Sequence, residues 1–200
     1  MTHNSEKNSR HLGNHPMVVR SNAFRNFIRI RLLERPLLKL PRSPEVLDFC
    51  CGYGFYFNIN PFARGVDGDP ECINHLANLG FDVKLADVTK GLPFGDGEFG
   101  YVVSHDVFEH FSKDLLYSIV IELHRVLKVG GRLIVIVPNR KGFDYGLKEG
   151  VGHVLHITQQ ELHDITDGYF ELVKNFSFPF PRSFGQFFLH NKEYFELIKV

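Results

Sequence analysis

Residues 46–54 form the sequence Val-Leu-Asp-Phe-Cys-Cys-Gly-Tyr-Gly, an apolar run that ends in a carboxylate and then turns through small residues. Asp67 follows Gly54 by thirteen residues, at the end of a second apolar run. In a doubly wound α/β sheet, a glycine-rich turn after the first strand and an acidic residue about 20 positions further on bind a nucleoside. This pattern predicts such a sheet, with Asp67 on the ribose.

The remainder of the chain alternates between strand and helix patterns. Short continuous apolar runs are typical of parallel strands covered on both faces, and they predict strands at 46–50, 63–67, 82–86, 99–104 and 132–137. Capping residues and glycines predict helices that run from Asp69-Pro70 to Gly80, from Ser112 to Gly130-Gly131, and from Thr158 to about Gly168.

Two extended segments, 169–178 and 192–199, finish the chain with no predicted helix between them. Strands joined without a helix form a hairpin, so the last strand is expected to run antiparallel to the rest of the sheet. Pro61 and Gly65 also follow Gly54 closely, which limits the first helix to barely two turns.

The 200 residues and the 44% apolar content fit one globular domain. Apolar runs of about 20 residues, which could span a bilayer, are missing, and the first residues lack the apolar stretch of a signal peptide. We therefore expect a cytoplasmic protein. Three cysteines, two of them adjacent, indicate buried free thiols, and no metal ion is expected.

The zero net charge hides an asymmetry. Residues 1–42 hold nine basic and two acidic residues, a net charge of +7, which leaves −7 on the remainder. Residues 1–16 are polar and without periodicity and are expected to be disordered, whereas 23–34 has the spacing of an amphipathic helix. The basic arm either binds an anionic partner or docks on its own acidic domain.

Five segments together resemble class I S-adenosylmethionine-dependent methyltransferases, and they occur in the family's order at 46–54, 65–69, 86–88, 101–110 and 127–138. The resemblance implies a Rossmann-like three-layer sandwich, with a seven-stranded mostly parallel sheet whose last strand is antiparallel. It also implies S-adenosyl-L-methionine as the cofactor. Residues 1–42 then form a lid, and 43–200 form the catalytic domain.

The resemblance also implies the positions that bind the cofactor. The family places carboxylates on the ribose and on the adenine amino group, and small residues beside the methionine carboxylate. The corresponding positions here are Asp48, Cys50, Gly52, Gly54, Asp67, Gly68, Asp87, Val88, Ser104 and His105. Cys50 replaces a family glycine, so its thiol faces either the cofactor or the core.

Methyl transfer requires mainly in-line positioning of the acceptor, with a base only if the acceptor carries a proton. His153 and His156, in a segment similar to one found in relatives, are the candidate catalytic bases, and His153 is the favoured one. Glu109 and His110 resemble a Leu-Glu-His element of the small-molecule branch and are expected to orient their loop. Residues 138–157 are expected to be a loop that forms the acceptor lid together with the basic amino-terminal helix.

These features favour O-methylation of a small molecule, a lipid or a glycan precursor. The acceptor can be anionic, and a nucleic acid is a less favoured acceptor. Residues 52–61 also resemble wobble-uridine tRNA methyltransferases, so an RNA methyltransferase is an alternative. Cys50 leaves open a non-catalytic regulatory subunit that binds the cofactor. A nicotinamide enzyme is a more distant alternative.

Overall fold

The computed structural model describes residues 30–31 and 34–200. Ile30 and Arg31 are helical, and the chain then enters a short 3₁₀ turn at Leu37–Lys39. The segment predicted to be disordered and most of the predicted amphipathic helix lie outside the described residues.

Seven strands form one sheet in the order β3-β2-β1-β4-β5-β7-β6. All neighbouring strands are parallel except β7, which is antiparallel to both β5 and β6. The predicted fold class, with its reversed last strand, is therefore confirmed. The strands are β1 Val46–Phe49, β2 Arg64–Asp67, β3 Asp82–Leu85, β4 Phe99–His105, β5 Leu127–Pro138, β6 Phe170–Phe178 and β7 Lys192–Lys199.

Three helices begin where the sequence predicts. Asp69, Ser112 and Thr158 each accept a hydrogen bond from a backbone N–H of the first turn, which satisfies a donor that the helix itself leaves unpaired. The helices that they cap are α1 Pro70–Asn78, α2 Lys113–Val126 and α4 Gln159–Thr166, where α4 follows a further helix, α3, described below.

The prediction of a two-turn first helix after Gly54 is wrong. In place of two α-helical turns, the chain forms a single 3₁₀ turn at Tyr56–Asn58. The side chain of Asn58 donates to the carbonyl of Phe55 and thereby competes with helical hydrogen bonding. So short a turn builds up little of the dipole that a longer helix would have at its amino terminus.

The predicted end of α2 at Gly130-Gly131 is also wrong. The helix ends at Val126, and β5 begins at once with Leu127, which is fully buried and pairs with Phe99 of β4. Burial of Leu127 in the sheet therefore starts the strand before the glycines.

Residues 138–157 are not the loop that was predicted. Asn139 accepts a hydrogen bond from the N–H of Gly142 and caps α3, Arg140–Lys148. Two glycines, which disfavour helix in a sequence, obscured the helical pattern, and both lie where another residue packs closely against the backbone. A Cβ at Gly142 would lie 2.9 Å from the carbonyl of Leu189, and one at Gly146 would lie 2.2 Å from the His153 ring. A further short helix, α5 Arg182–Gly185, was not predicted.

The sheet buries one apolar cluster on each face. The larger cluster packs α2 and α4 against strand residues that include Val102, Leu133 and Val135, and the smaller one contains Tyr56, Phe57 and Leu76. None of the described helices combines the length and the apolar character that crossing a bilayer would require. The carboxyl ends of the parallel strands meet at one edge of the sheet.

Candidate active site

The site lies at the carboxyl edge of the sheet, where open α/β sheets bind their ligands. Phe49 at the end of β1 pairs with Val66 of β2 on one side and with Ser104 of β4 on the other. Residues that follow these three strands are therefore neighbours in space. The reversed strand β7 begins at this same edge, because Lys192 pairs with Pro138, the last residue of β5.

Asp67 ties the glycine turn to the end of β2. One carboxylate oxygen accepts a hydrogen bond from the backbone N–H of Gly52 at 2.8 Å, and the other accepts from the N–H of Asp69 at 2.9 Å. Gly52 takes a φ of 49°, which favours glycine, and a Cβ there would meet no atom within 4 Å. The turn is therefore open on the side where a ligand could approach the backbone beside Asp67.

The two other glycines of the predicted set differ from Gly52. A Cβ at Gly54 would lie 2.5 Å from Leu76, so Gly54 allows α1 to pack closely against the turn. Gly68 is exposed beyond the end of β2.

Cys50 keeps a backbone conformation that a glycine would adopt without strain. Its φ is 54°, and Asp106, which follows β4, has a φ of 56°; among the residues described, these two are the non-glycine residues with positive φ. The half-buried thiol of Cys50 packs against the larger apolar cluster. Asp48 is buried beneath the turn, and burial, followed by the charge of Asp67, raises its pKa well above the usual value.

Asp87 is exposed past the end of β3. Its carboxylate accepts hydrogen bonds from the backbone N–H and the hydroxyl of Thr89 and pairs with Lys90 at 2.8 Å. The contacts with Lys90 and Thr89 lower the pKa of Asp87 to about 2, so it is ionised at neutral pH. Val88 packs its side chain into the core, which leaves its backbone as the part that could contact a ligand.

Ser104 and His105 end β4 at the centre of the edge. The Ser104 hydroxyl is fully buried and has no hydrogen-bond partner among the described residues. His105 stacks on Phe55 of the glycine turn, with ring centroids 5.5 Å apart. Nε2 of His105 lies 3.1 Å from Glu34 and 2.8 Å from the amino group of Lys192, so it can donate to the one or accept from the other.

The sequence analysis did not identify Glu34, Asp106 or Lys192 as site residues. Lys192 lies 2.6 Å from a carboxylate oxygen of Asp106 and 3.4 Å from Glu34. These charges are brought together from the amino-terminal segment, the end of β4 and the start of β7. No local motif marks them, because Glu34 and Lys192 are 158 positions apart.

Both predicted bases contact the ring of Phe143, but their other neighbours differ. Nδ1 of His153 lies 3.1 Å from the carbonyl of Phe143, and its ring lies next to that of His110 at 5.0 Å. His156 faces a cavity of about 310 Å³, whose other lining residues include Arg140, Arg182 and Glu193. Burial, and then the positive charge of Arg140, lower the pKa of His156, so its ring is neutral at pH 7.

Glu109 is the most deeply buried acid near these histidines, with 1% of its surface exposed. Neither of its carboxylate oxygens has a hydrogen-bond partner in the part of the chain that the structure describes. Burial, with Asp106 adding to the effect, raises its pKa well above the usual value. Its backbone carbonyl accepts hydrogen bonds from Val154 and Leu155, which ties residues 153–156 to the end of β4.

Comparison with known proteins finds a family to which the strands of this site are similar. A family model described as a methyltransferase domain matches residues 47–135, which run from β1 through most of β5. Over this segment the chain is similar to class I methyltransferases. S-adenosyl-L-methionine is the cofactor of this family.

An uncharacterised methyltransferase of Synechocystis sp. is 32% identical to this chain over 117 residues, and the match covers 55% of each chain. The chain thus spans about half the length of that curated relative. Two solved structures share the fold. PH0226 of Pyrococcus horikoshii has a TM-score of 0.68 at 21% identity over 90% of this chain and 93% of its own. The methyltransferase in a Haloferax volcanii complex with the Trm112 activator has a TM-score of 0.66 at 17% identity over 88% and 94%.

The residues at the edge fit this cofactor. The open side of Gly52 admits a ligand against the backbone, and the partly buried carboxylate of Asp67 lies beside it with the acceptor capacity to bind two hydroxyls. The buried hydroxyl of Ser104 is a further polar group at the same edge without a partner among the described residues. The individual cofactor contacts remain predictions.

Proposed function

We propose that this methyltransferase transfers a methyl group from S-adenosyl-L-methionine to an oxygen atom of a small acceptor that carries an apolar portion. The observation that carries the proposal is the open glycine turn at Gly52 beside the carboxylate of Asp67. When bound, the cofactor supplies a methyl group on a positively charged sulfur, which is already an activated electrophile. The residues of the chain then bind and orient the cofactor and the acceptor, and they remove the proton of the acceptor.

We propose that Asp67 binds the ribose hydroxyls and that Asp87 accepts from the adenine amino group, with the backbone of Cys50 and the glycine turn facing the methionine part. For Asp87, this requires its carboxylate to turn away from Thr89 and Lys90. Its exposure at the end of β3 supports this movement, because no buried contact holds it.

Of the two predicted bases, His156 is the better placed. A neutral imidazole that faces a cavity can accept a hydroxyl proton from a bound acceptor. Arg140 and Arg182 line the same cavity and could hold an anionic group of that acceptor. The ring of His153, in contrast, packs against the rings of His110 and Phe143.

Exposed phenylalanines support an acceptor with an apolar portion. Phe180, Phe184, Phe187 and Phe188 lie between β6 and β7 and are 41–64% exposed. Asn139, directly after β5, donates to the carbonyls of Gly185 and Phe188 and so fixes this segment next to the carboxyl edge. Exposed apolar groups of this size and clustering are typical of ligand, membrane or protein contacts.

An RNA acceptor is the second candidate, supported by the basic composition of residues 1–42 and by the shared fold with the Haloferax volcanii protein solved with the Trm112 activator. Its weakness is the net charge of −7 on the remaining residues, because RNA binding depends on basic surfaces.

One labelling experiment separates the candidates. The full chain is incubated with S-adenosyl-L-methionine that carries a tritiated methyl group and, in parallel, with lipid extract, low-molecular-weight extract or bulk tRNA. We expect label in the lipid or small-molecule fraction that is released by chemistry specific for methyl ethers or esters. Label confined to tRNA would establish the second candidate, and no label in any fraction, despite cofactor binding, would favour the regulatory subunit.

A further inference from the structure

A cluster of three side chains outside the proposed cofactor contacts has the composition of a metal site. Glu109, His110 and His153 each offer one ligand atom, and these atoms lie within 4.8 Å of one another. Two imidazoles and one carboxylate form a common protein ligand set for zinc, which binds such donors at about 2.0–2.2 Å. The spacing therefore requires only small side-chain movements to close around an ion.

The hydrogen bonds of the two histidines prepare them as ligands. Nδ1 of His110 lies 3.2 Å from the carbonyl of Gly152, and Nδ1 of His153 lies 3.1 Å from the carbonyl of Phe143. A carbonyl can only accept, so each Nδ1 carries the hydrogen, and each Nε2 carries the lone pair of the neutral ring. Metal-binding histidines usually donate their other ring N–H to a backbone carbonyl or carboxylate in this way.

Glu109 provides an independent indication. Its side chain is almost fully buried, yet neither carboxylate oxygen has a hydrogen-bond partner among the residues described. A buried polar group without a partner is costly and requires an explanation, and an unseen ion is one of the recognised ones. The backbone of Glu109 also holds residues 154–155, which brings His153 beside it.

We propose that Glu109, His110 and His153 bind one divalent transition-metal ion, of which Zn²⁺ is the best match. Imidazole nitrogen suits zinc and related ions, whereas Mg²⁺ prefers oxygen ligands. Three protein ligands leave a fourth position for water or for an oxygen of a bound molecule. This proposal does not rest on the proposed methyl transfer, because metal binding alone tests it.

The test uses the full chain, freed of metal by a chelator and titrated calorimetrically with ZnCl₂. We expect one Zn²⁺ per chain, and at least a tenfold loss of affinity in both Glu109→Gln and His153→Gln. His163→Gln is the matched control, because His163 is exposed on α4 away from the cluster. At one fixed Zn²⁺ concentration, the rise in Tm should be larger for the wild type and the control than for Glu109→Gln.

Several results would overturn the proposal. Wild-type affinity in Glu109→Gln and His153→Gln would place the ion on other side chains, and undetectable Zn²⁺ binding by the wild type would remove the site. Tighter binding of Mg²⁺ than of Zn²⁺ would overturn the choice of ion. Should the variants fail to fold, the visible spectrum of the Co²⁺-loaded wild type decides: four- or five-coordinate bands support the site, and a six-coordinate spectrum argues against it.

Discussion

The Oδ2 atom of Asp67 accepts a hydrogen bond from the backbone N–H of Gly52 across 2.8 Å, and this bond joins the turn after β1 to the end of β2. The same carboxylate is the proposed ribose ligand. Asp67 therefore combines a structural bond with a proposed ligand role, and asparagine would keep an acceptor oxygen for the N–H of Gly52 but lose the charge and the oxygen that accepts from Asp69.

Asp67→Asn should weaken the binding of S-adenosylhomocysteine by roughly 10- to 100-fold, because hydrogen bonds to a charged group contribute about 1.5–3 kcal/mol. Isothermal titration calorimetry gives the dissociation constants. Asp114→Asn, at an exposed position in the first turn of α2, should bind as the wild type does. Equal affinity in Asp67→Asn and the wild type would remove Asp67 from the cofactor site.

Cys50 offers a test of backbone conformation. A non-glycine residue in the left-handed region costs about 1–2 kcal/mol, and a β-branched one costs more. Cys50→Gly relieves that strain but loses packing and raises the entropy of the unfolded chain, so its unfolding free energy should stay within about 1 kcal/mol of the wild type. Cys50→Val should lose about 1–2 kcal/mol in urea denaturation. If Cys50→Gly were less stable than Cys50→Val, packing of the side chain would outweigh the backbone strain.

His156→Gln should lower kcat by about 100-fold or more, the usual contribution of a general base, without changing the affinity for S-adenosylhomocysteine. Because the pKa of His156 lies below its ordinary value of 6.5, the wild-type rate should fall only as the pH drops through that lowered pKa. Steady-state kinetics across pH measures both effects. A loss of kcat of the same size in the control His163→Gln would contradict a specific role for His156.

Glu34 predicts a pH-dependent stability. Burial alone would raise its pKa, but the charges of His105 and Lys192 lower it below the ordinary 4.5. The folded chain therefore binds this proton less tightly than the unfolded chain. The resulting stabilisation is present in full above the ordinary pKa and is lost as the pH falls through the lowered one.

Glu34→Gln should accordingly reduce the free energy of unfolding by about 1–3 kcal/mol at neutral pH, and the difference from the wild type should shrink on acidification. Urea denaturation at about pH 7 and about pH 4 provides the comparison. A difference that stays constant between the two conditions would show that the charge of Glu34 contributes little.

Local signals predicted much of this fold. Asp69, Ser112 and Thr158 begin their helices through hydrogen bonds to residues two or three positions away, so a short window of sequence is enough to find them. Asn139 makes the same kind of bond, but Gly142 and Gly146 hid its helix, because close packing against Leu189 and His153 requires glycine there.

Other features depend on contacts between distant segments. The group formed by Glu34, His105 and Lys192 unites residues whose proximity follows only from the order of the strands. The cluster of Glu109, His110 and His153 arises because residues 154–155 bond to the backbone of Glu109. Each of these histidines was noticed in the sequence, but its neighbours could not be known.

The reversed direction of β7 has a consequence for how acceptor preference could diversify. Because β7 starts at the carboxyl edge, the loop before it opens beside the proposed cofactor site. The residues proposed to bind the cofactor are thus encoded mainly by 46–105. The helix α3, the four exposed phenylalanines between β6 and β7, and Lys192 are encoded by one continuous stretch, 139–192. Exchange of that stretch between relatives would alter the acceptor while leaving the methyl donor unchanged.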